Sequence, residues 1–256
     1  MRLQGKLAVI TGAASGIGRS GSLLFAEHGA HVVAIDRDQQ ALDALKTEAA
    51  MQGLTIEVLQ VDLSNAQACR QALQQSVGLL GGLHIFWGNA GVVGPAGIEQ
   101  LDEKAYASAM DLNLTANVLM AGMAITQMKH SGGGSMIFTS SISGLVGSRK
   151  SPVYAITKHA LVGMARSLAI AHGPDGIRVN AICPGLTETA MLPHAMGRGV
   201  DTEAMERNRA AHIASIPMGR VADAIEIAKA ALWLASDDAS YVTGVALPVD
   251  GGFTCA

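Results

Sequence analysis

Several features that would commit a chain to a scaffold or a surface are scarce or missing here. The 256 residues include three cysteines, Cys69, Cys183 and Cys255, an odd number with no C-x-x-C spacing. That argues against a disulfide framework or a cysteine-built metal site, and predicts reduced thiols in a cytoplasmic protein. Charged residues make up only 15% and the net charge is −3. With no basic face advertised, nucleic acid and anionic membrane are excluded as principal partners. No uninterrupted apolar stretch is long enough to span a bilayer. The run from Met1 to the glycine turn at Gly12 leaves no room for a secretory signal. The sequon Asn113-Leu-Thr115 is therefore read as chance. There is no linker, composition break or repeat, so one continuous domain over residues 1–256 is expected.

Against these absences stands a hydrophobic fraction of 49%, enough for a large core. The pattern alternates short apolar runs with helical spacing. Strands are expected at 7–11, 31–36, 55–61, 83–88, 136–140, 177–183 and 244–249. Between them, helical patterns run over 41–52, 66–80, from about 113 to 129, from Pro152 onward, and over 222–236. This predicts an α/β, doubly wound (Rossmann) fold: a seven-stranded parallel sheet with helices on both faces. Residues 188–217 break the alternation and are rich in Met and His. They follow the C-terminal end of a strand, where ligands bind in open α/β sheets, and read as a substrate lid.

After the first strand comes Thr11-Gly12-Ala-Ala-Ser15-Gly16-Ile17-Gly18, opening a helix. Glycines there let the backbone turn tightly and approach a pyrophosphate, which the helix N-terminus favours. Asp36 ends the second strand, where a carboxylate accepts hydrogen bonds from ribose hydroxyls and repels a 2′-phosphate. The loop supplies no cation for such a phosphate, and Arg37 is read as a solvated residue, so NAD is expected over NADP. Asp62 and Asn89-Ala90-Gly91 follow two further strands and line the same crevice.

Tyr154 and Lys158 stand at i and i+4 of a helix, about 5–6 Å apart at Cβ. A phenol ordinarily ionises near pH ~10. A neighbouring ammonium favours the phenolate and makes the ring a proton donor or acceptor at working pH.

Taken together, Thr11-Gly-x-x-x-Gly-x-Gly18, Asp62, Asn89-Ala-Gly91, Asn113, Ser141, Tyr154-x-x-x-Lys158, Asn180, Pro184-Gly185, Val242-Thr-Gly244 and Val249-Asp-Gly-Gly252 resemble the short-chain dehydrogenase/reductase family over essentially the whole chain. The resemblance implies a catalytic tetrad of Asn113, Ser141, Tyr154 and Lys158. Tyr154 would exchange the proton and Ser141 would orient the substrate oxygen. Lys158 would lower the tyrosine's pKa and hold the nicotinamide ribose, and Asn113 would hold a relay water. It also implies cofactor contacts from Gly12, Ser15, Gly16, Ile17, Gly18, Asp36, Arg37, Asp62, Leu63, Asn89, Ala90, Gly91, Pro184, Gly185, Thr187 and Thr189. Two departures from the family pattern are Gly88, where an asparagine is usual, preceded by Trp87, and Thr187 in place of Val or Ile.

The substrate wall is expected from Val92, Val93 and Gly94, from Ser141, Ile142, Ser143 and Val146, and from the lid residues Met191, Leu192, His194, Met196 and Met205. Adaptable methionines suit a secondary alcohol or ketone with a substantial apolar part. His194 is expected as a substrate contact or solvated, and Arg149-Lys150 as a solvated loop rather than a carboxylate receptor. The expected activity is NAD-dependent interconversion of a secondary alcohol and a ketone, without metal. A catalytically silent dinucleotide-binding regulator is the alternative, and epimerisation or dehydration a third. The family's homotetramer is expected through the tyrosine helices and the C-terminal strand.

Overall fold

The computed structural model describes residues 1–148, 151–196 and 202–255; Arg149 and Lys150 lie outside the described residues. Strand and helix alternate through β1 (Leu7–Thr11), α1 (Gly16–Glu27), β2 (His31–Asp36), α2 (Gln39–Met51), β3 (Ile56–Gln60), α3 (Ala66–Leu80) and β4 (Ile85–Gly88). A helix not expected from the sequence, α4 (Glu103–Met110), passes through a π-helical turn, Asp111–Thr115, into α5 (Ala116–His130). Next come β5 (Gly134–Thr139), a 3-10 turn at Ile142–Gly144, α6 (Pro152–His172) and β6 (Ile177–Pro184). The remaining elements are β7 (Thr187–Glu188), α7 (Met191–Met196), α8 (Thr202–Ala214), β8 (Ala222–Asp223), α9 (Ala224–Ala235) and β9 (Ala246–Val249).

Seven strands form one sheet in the order β3-β2-β1-β4-β5-β6-β9, and every pairing is parallel. From β1 the chain winds outward to β3, then returns to the other side of β1 as β4. The crevice between the ends of β1 and β4 is the switch point where such sheets bind ligands. Buried parallel strands read as continuous apolar runs, and the central residues of β1, β2 and β4 are accordingly buried without alternation. On one face Leu24 and Phe25 of α1, Leu42 and Leu45 of α2 and Ile227 and Leu232 of α9 close the core. On the other Leu73 of α3, Met120 and Met128 of α5 and Leu161 and Val162 of α6 do so.

The expected lid, whose residues 197–201 lie outside the described residues, is flanked by a second, two-stranded parallel sheet, in which Thr187 pairs with Ala222 and Glu188 with Asp223. It is anchored on a small apolar cluster of Leu186, Leu192 and Ile216, packed by Met196, Ile213 and Phe253. No helix among the described residues is long and apolar enough to cross a membrane.

Candidate active site

The strand ends converge on a cavity of about 1110 Å³. One half follows β1, β2, β3 and β4 and is lined by Gly12, Ser15, Gly16, Ile17, Asp36, Arg37, Asp62, Leu63, Asn89, Ala90 and Gly91. The other is lined by Ser141, Ser143, Val93 and Tyr154 together with Met191, Leu192 and Met196 of α7. Lys158, Pro184, Gly185, Thr187 and Thr189 also line it. Of the expected substrate wall, Gly94, Met205 and the exposed His194 are not among the lining residues.

The floor is a chain of hydrogen bonds that joins three strand ends. Trp87 donates its indole N–H to the Thr139 hydroxyl (2.9 Å), and that hydroxyl donates to Asn89 Oδ1 (2.9 Å). Asn89 Nδ2 in turn donates to the carbonyls of Thr11 (3.1 Å) and Gly12 (3.2 Å). The Thr11 hydroxyl accepts from the backbone N–H groups of Asn89 (2.9 Å) and Ala90 (3.0 Å). Gly18 does not line the cavity; it lets α1 sit on this floor. A Cβ there would lie 2.1 Å from the Gly12 carbonyl oxygen and 2.7 Å from Asn89 Nδ2.

Gly88, the departure noted above, has a steric cause. A Cβ on it would fall 1.9 Å from Asn117 Oδ1. The volume that a side chain at position 88 would fill is taken by the carboxamide of Asn117, which reaches in from α5 and donates from Nδ2 to the Asn113 carbonyl (2.9 Å).

At the cofactor end, Asp36 Oδ2 accepts from the Ala14 N–H (3.0 Å) and Oδ1 from that of Asp38 (3.2 Å). Each carboxylate oxygen keeps a lone pair for a further donor. Asp62 is held below the ordinary carboxylate range by the Ser64 N–H, which donates to Oδ1 at 2.9 Å. The N-terminus of α1 has no cap from its own chain: Ser15 makes no side-chain bond to it, and its first turn carries no acidic residue. Uncapped N–H groups at a helix start suit an anion. Thr189 closes over this turn, its methyl 2.9 Å from where a Cβ on Gly16 would stand.

At the other end the Tyr154–Lys158 pair sits as the helix spacing requires, with Lys158 Nζ 5.3 Å from the centre of the tyrosine ring. Lys158 is 3% exposed, and Nζ donates to the Thr139 carbonyl at 2.7 Å. Burial pushes its pKa down from 10.5 to about 8. Cys183 nearby is pushed up to about 11, again by burial, and is no counter-ion for it at neutral pH. Ser141 is 8% exposed, and its Oγ accepts from the Ser143 N–H at 3.1 Å, capping the 3-10 turn. Beside it Ser140 has a different task, donating to the Lys158 carbonyl at 2.7 Å.

Asn113 is fully buried in the π-helical turn and does not line the cavity. Its carboxamide is occupied: Oδ1 accepts from Val92 N–H (2.7 Å), and Nδ2 donates to Val92 O (2.8 Å) and Thr157 Oγ1 (3.3 Å). It fastens the loop after β4 to α6. Thr187 turns its hydroxyl onto the Gly185 carbonyl (3.0 Å), so this departure also fits its turn. Missed from the sequence were Asn117, Trp87 and Thr139 as parts of the floor, and His212 and Phe253 as cavity-lining residues. Among the described residues no group of three or more His, Cys, Asp or Glu could hold a metal ion.

A family model described as enoyl-(acyl carrier protein) reductase matches residues 12–254. The chain belongs to the short-chain dehydrogenase/reductase family. It is 34% identical over 253 residues to the 2,5-dichloro-2,5-cyclohexadiene-1,4-diol dehydrogenase of Sphingobium indicum, covering 99% of this chain and 98% of that one. It is 35% identical over 252 residues to the cis-4-hydroxycyclohexanecarboxylate dehydrogenase of Sinomonas cyclohexanicum, covering 97% and 96%. A crystal structure from Beutenbergia cavernae, assigned provisionally as an NAD(P)-dependent gluconate 5-dehydrogenase and holding NADP at low occupancy, superposes with a TM-score of 0.92. It shares 32% identity, and the match spans 99% of this chain and 98% of that one. The family supports an oxidoreductase acting on alcohol groups with a nicotinamide dinucleotide.

Proposed function

We propose that this protein is an NAD-dependent dehydrogenase that interconverts a ring secondary alcohol and its ketone, with Tyr154 exchanging the proton. The observation that supports this most is the buried Lys158 cation beside the Tyr154 ring, in a cavity whose other half ends in Asp36. A catalytically silent binding protein would have no use for a lysine held in charge-disfavouring surroundings.

A nicotinamide bound in this cavity would supply the hydride acceptor or donor. The protein's own groups do the rest. Below about pH 8 Lys158 carries its charge, the form that favours a phenolate at Tyr154. One of its three N–H donors goes to Thr139, which leaves two for ribose hydroxyls. In the oxidative direction Tyr154 takes the alcohol proton; in the reductive direction it returns it. Ser141 already accepts a backbone N–H, so its own O–H is the part that donates to the substrate oxygen. With the Asn113 carboxamide occupied, a relay water belongs on its backbone carbonyl, which also accepts from Asn117 Nδ2.

The preference for NAD rests on Asp36, whose free lone pairs suit ribose hydroxyls and whose charge repels a 2′-phosphate. Val93, Val146, Leu186, Met191 and Leu192 make an apolar wall suited to a six-membered ring, and the two relatives named act on such rings. The protein acts as one domain over residues 1–256 with 188–217 as its lid, in the cytoplasm, as a homotetramer. Val118, Ile156 and Ile170 are large apolar side chains on α5 and α6 left exposed in the single chain, a face for a second copy.

The test is NADH formation from NAD and a panel of cyclohexanols at alkaline pH, set against small polyols and a 3-oxoacyl thioester. Ring alcohols are turned over, and Tyr154→Phe loses at least about 10²–10⁴-fold in kcat while still binding NADH. A silent panel, or a Tyr154→Phe variant as active as the parent, overturns the reading.

A further inference from the structure

We propose that His212 is a second recognition point in the cavity, at which its imidazole hydrogen-bonds an oxygen that the substrate carries besides the reacting one. This inference rests on the ring-alcohol reading above.

Helix α8 buries none of its residues, yet His212 is not one of its solvated side chains. Its ring lies parallel to Phe253, with centroids 5.0 Å apart and planes 5° from parallel, and both residues line the cavity. Phe253 is itself firmly placed. Asp250 accepts from the N–H groups of Gly252 (3.0 Å) and Thr254 (2.9 Å) and from the Thr254 hydroxyl (2.7 Å), closing the turn that presents the ring. That turn packs on the end of the 188–217 segment, where a Cβ on Gly251 would meet Ile216 at 2.8 Å.

The informative atom is Nε2. It is buried and has no hydrogen-bond partner, the one side-chain nitrogen or oxygen among the described residues in that state. A buried polar group left unpaired is costly, and native structures tolerate few without a use for them. Burial also lowers the pKa of His212, which favours the neutral ring. A neutral imidazole has one donor and one acceptor nitrogen and can meet a hydroxyl, a ketone or a carboxylate oxygen. As placed, Nε2 is closed off from the cavity, so the contact with substrate is made after a half-turn of the ring about its Cβ–Cγ bond, which exchanges Nε2 with Cε1 and keeps the ring on the face of Phe253. Leu186, Leu192, Ala195 and Met196 face a ring substrate with apolar side chains, and the polar neighbours of His212 on and just after α8 that also line the cavity are Asn208 and Ser215, whose hydroxyl donates to the His212 carbonyl at 2.6 Å. His212 thus gives the cavity a polar contact apart from the Ser141–Tyr154 end, suited to a ring that carries two oxygens.

The experiment compares cyclohexane-1,4-diol with cyclohexanol in the NAD-dependent assay, in the full chain and in His212→Phe, which keeps a stacked ring and removes the nitrogens. The ratio of kcat/KM for diol over cyclohexanol falls about 5–10-fold, the value of one neutral hydrogen bond, and the fall lies in KM. His212→Gln, which can still donate and accept, recovers part of the ratio. His212→Leu reports the same loss should the phenylalanine variant fail to fold. An unchanged ratio, or a loss shared equally by both alcohols, overturns the inference and leaves the ring-alcohol reading intact. No turnover of either alcohol by the parent protein overturns both.

Discussion

Replacing Lys158 by methionine separates what the residue costs the fold from what it does for the reaction. Its pKa falls from 10.5 to about 8 because burial penalises the charged form. A difference of about 2.5 pH units corresponds to about 3 kcal/mol. The sign follows from proton counting: between about pH 8 and 10.5 the unfolded chain holds the proton that the folded chain has lost. Stability therefore rises with pH across that window, and the penalty is fully present below it. Methionine removes the charge and, with it, the 2.7 Å bond to the Thr139 carbonyl, a loss of about 1–3 kcal/mol. At pH 7 the two effects oppose, and Lys158→Met should unfold in urea within about 2 kcal/mol of the parent. As the pH is raised from 7.5 to 10.5 the parent should gain about 3 kcal/mol over the variant. Other titrating groups are common to both proteins and cancel in the difference. Turnover, by contrast, should fall by about 10²–10⁴ below about pH 8, where Lys158 carries its charge. A parent-minus-variant stability that stays level or declines over that pH range would refute the reasoning, because the ammonium would then not be desolvated.

Further consequences are open to simple measurements. Gly88→Ala should lose about 1–3 kcal/mol in chemical denaturation through its clash with Asn117 Oδ1, and Asn117→Ala in the same chain should restore most of it. Thr139→Val strands the Trp87 indole N–H and removes the donor to Asn89 Oδ1; it should cost about 1–3 kcal/mol in stability and weaken NADH binding by fluorescence titration. Arg220, and then the Asp223 N–H, hold Glu226 down to about 2 at the start of α9. The contribution of Glu226 is complete above its ordinary value of 4.5 and lost as the pH falls toward 2, so the melting temperature of Glu226→Gln should depend less on acid than the parent's. Light scattering should give a tetramer; a monomeric mass would remove the oligomeric reading.

Much of this was legible in the chain because buried parallel strands and amphipathic helices leave strong periodic marks. Leu7–Thr11, His31–Asp36 and Ala66–Leu80 have the bounds that the pattern predicts. Ser141, Tyr154 and Lys158, though spread over two elements, meet in one cavity. What escaped notice had no local signal. Helix α4 buries only Ala109, so it shows almost no apolar stripe, and α8 buries nothing. The π-helical turn carries Asn113, whose partners Val92 and Thr157 are far away in sequence. Gly88 and Asn117 make sense only as a pair, and His212 and Phe253 meet across a stretch that no motif spans. His194 drew attention as a lid histidine, but it is exposed and apart from the lining residues, while His212 is among them.

The Trp87–Thr139–Asn89 chain has a bearing on redesign. Because one carboxamide is gripped from the tips of β1 and β5 and set at the tip of β4, the base of the pocket cannot be reshaped piecemeal. A library that varies those three positions will mostly sample destabilised molecules. Diversity aimed at new alcohols is better spent on α7, α8 and the C-terminal turn, whose side chains border the ligand without fastening the strands together.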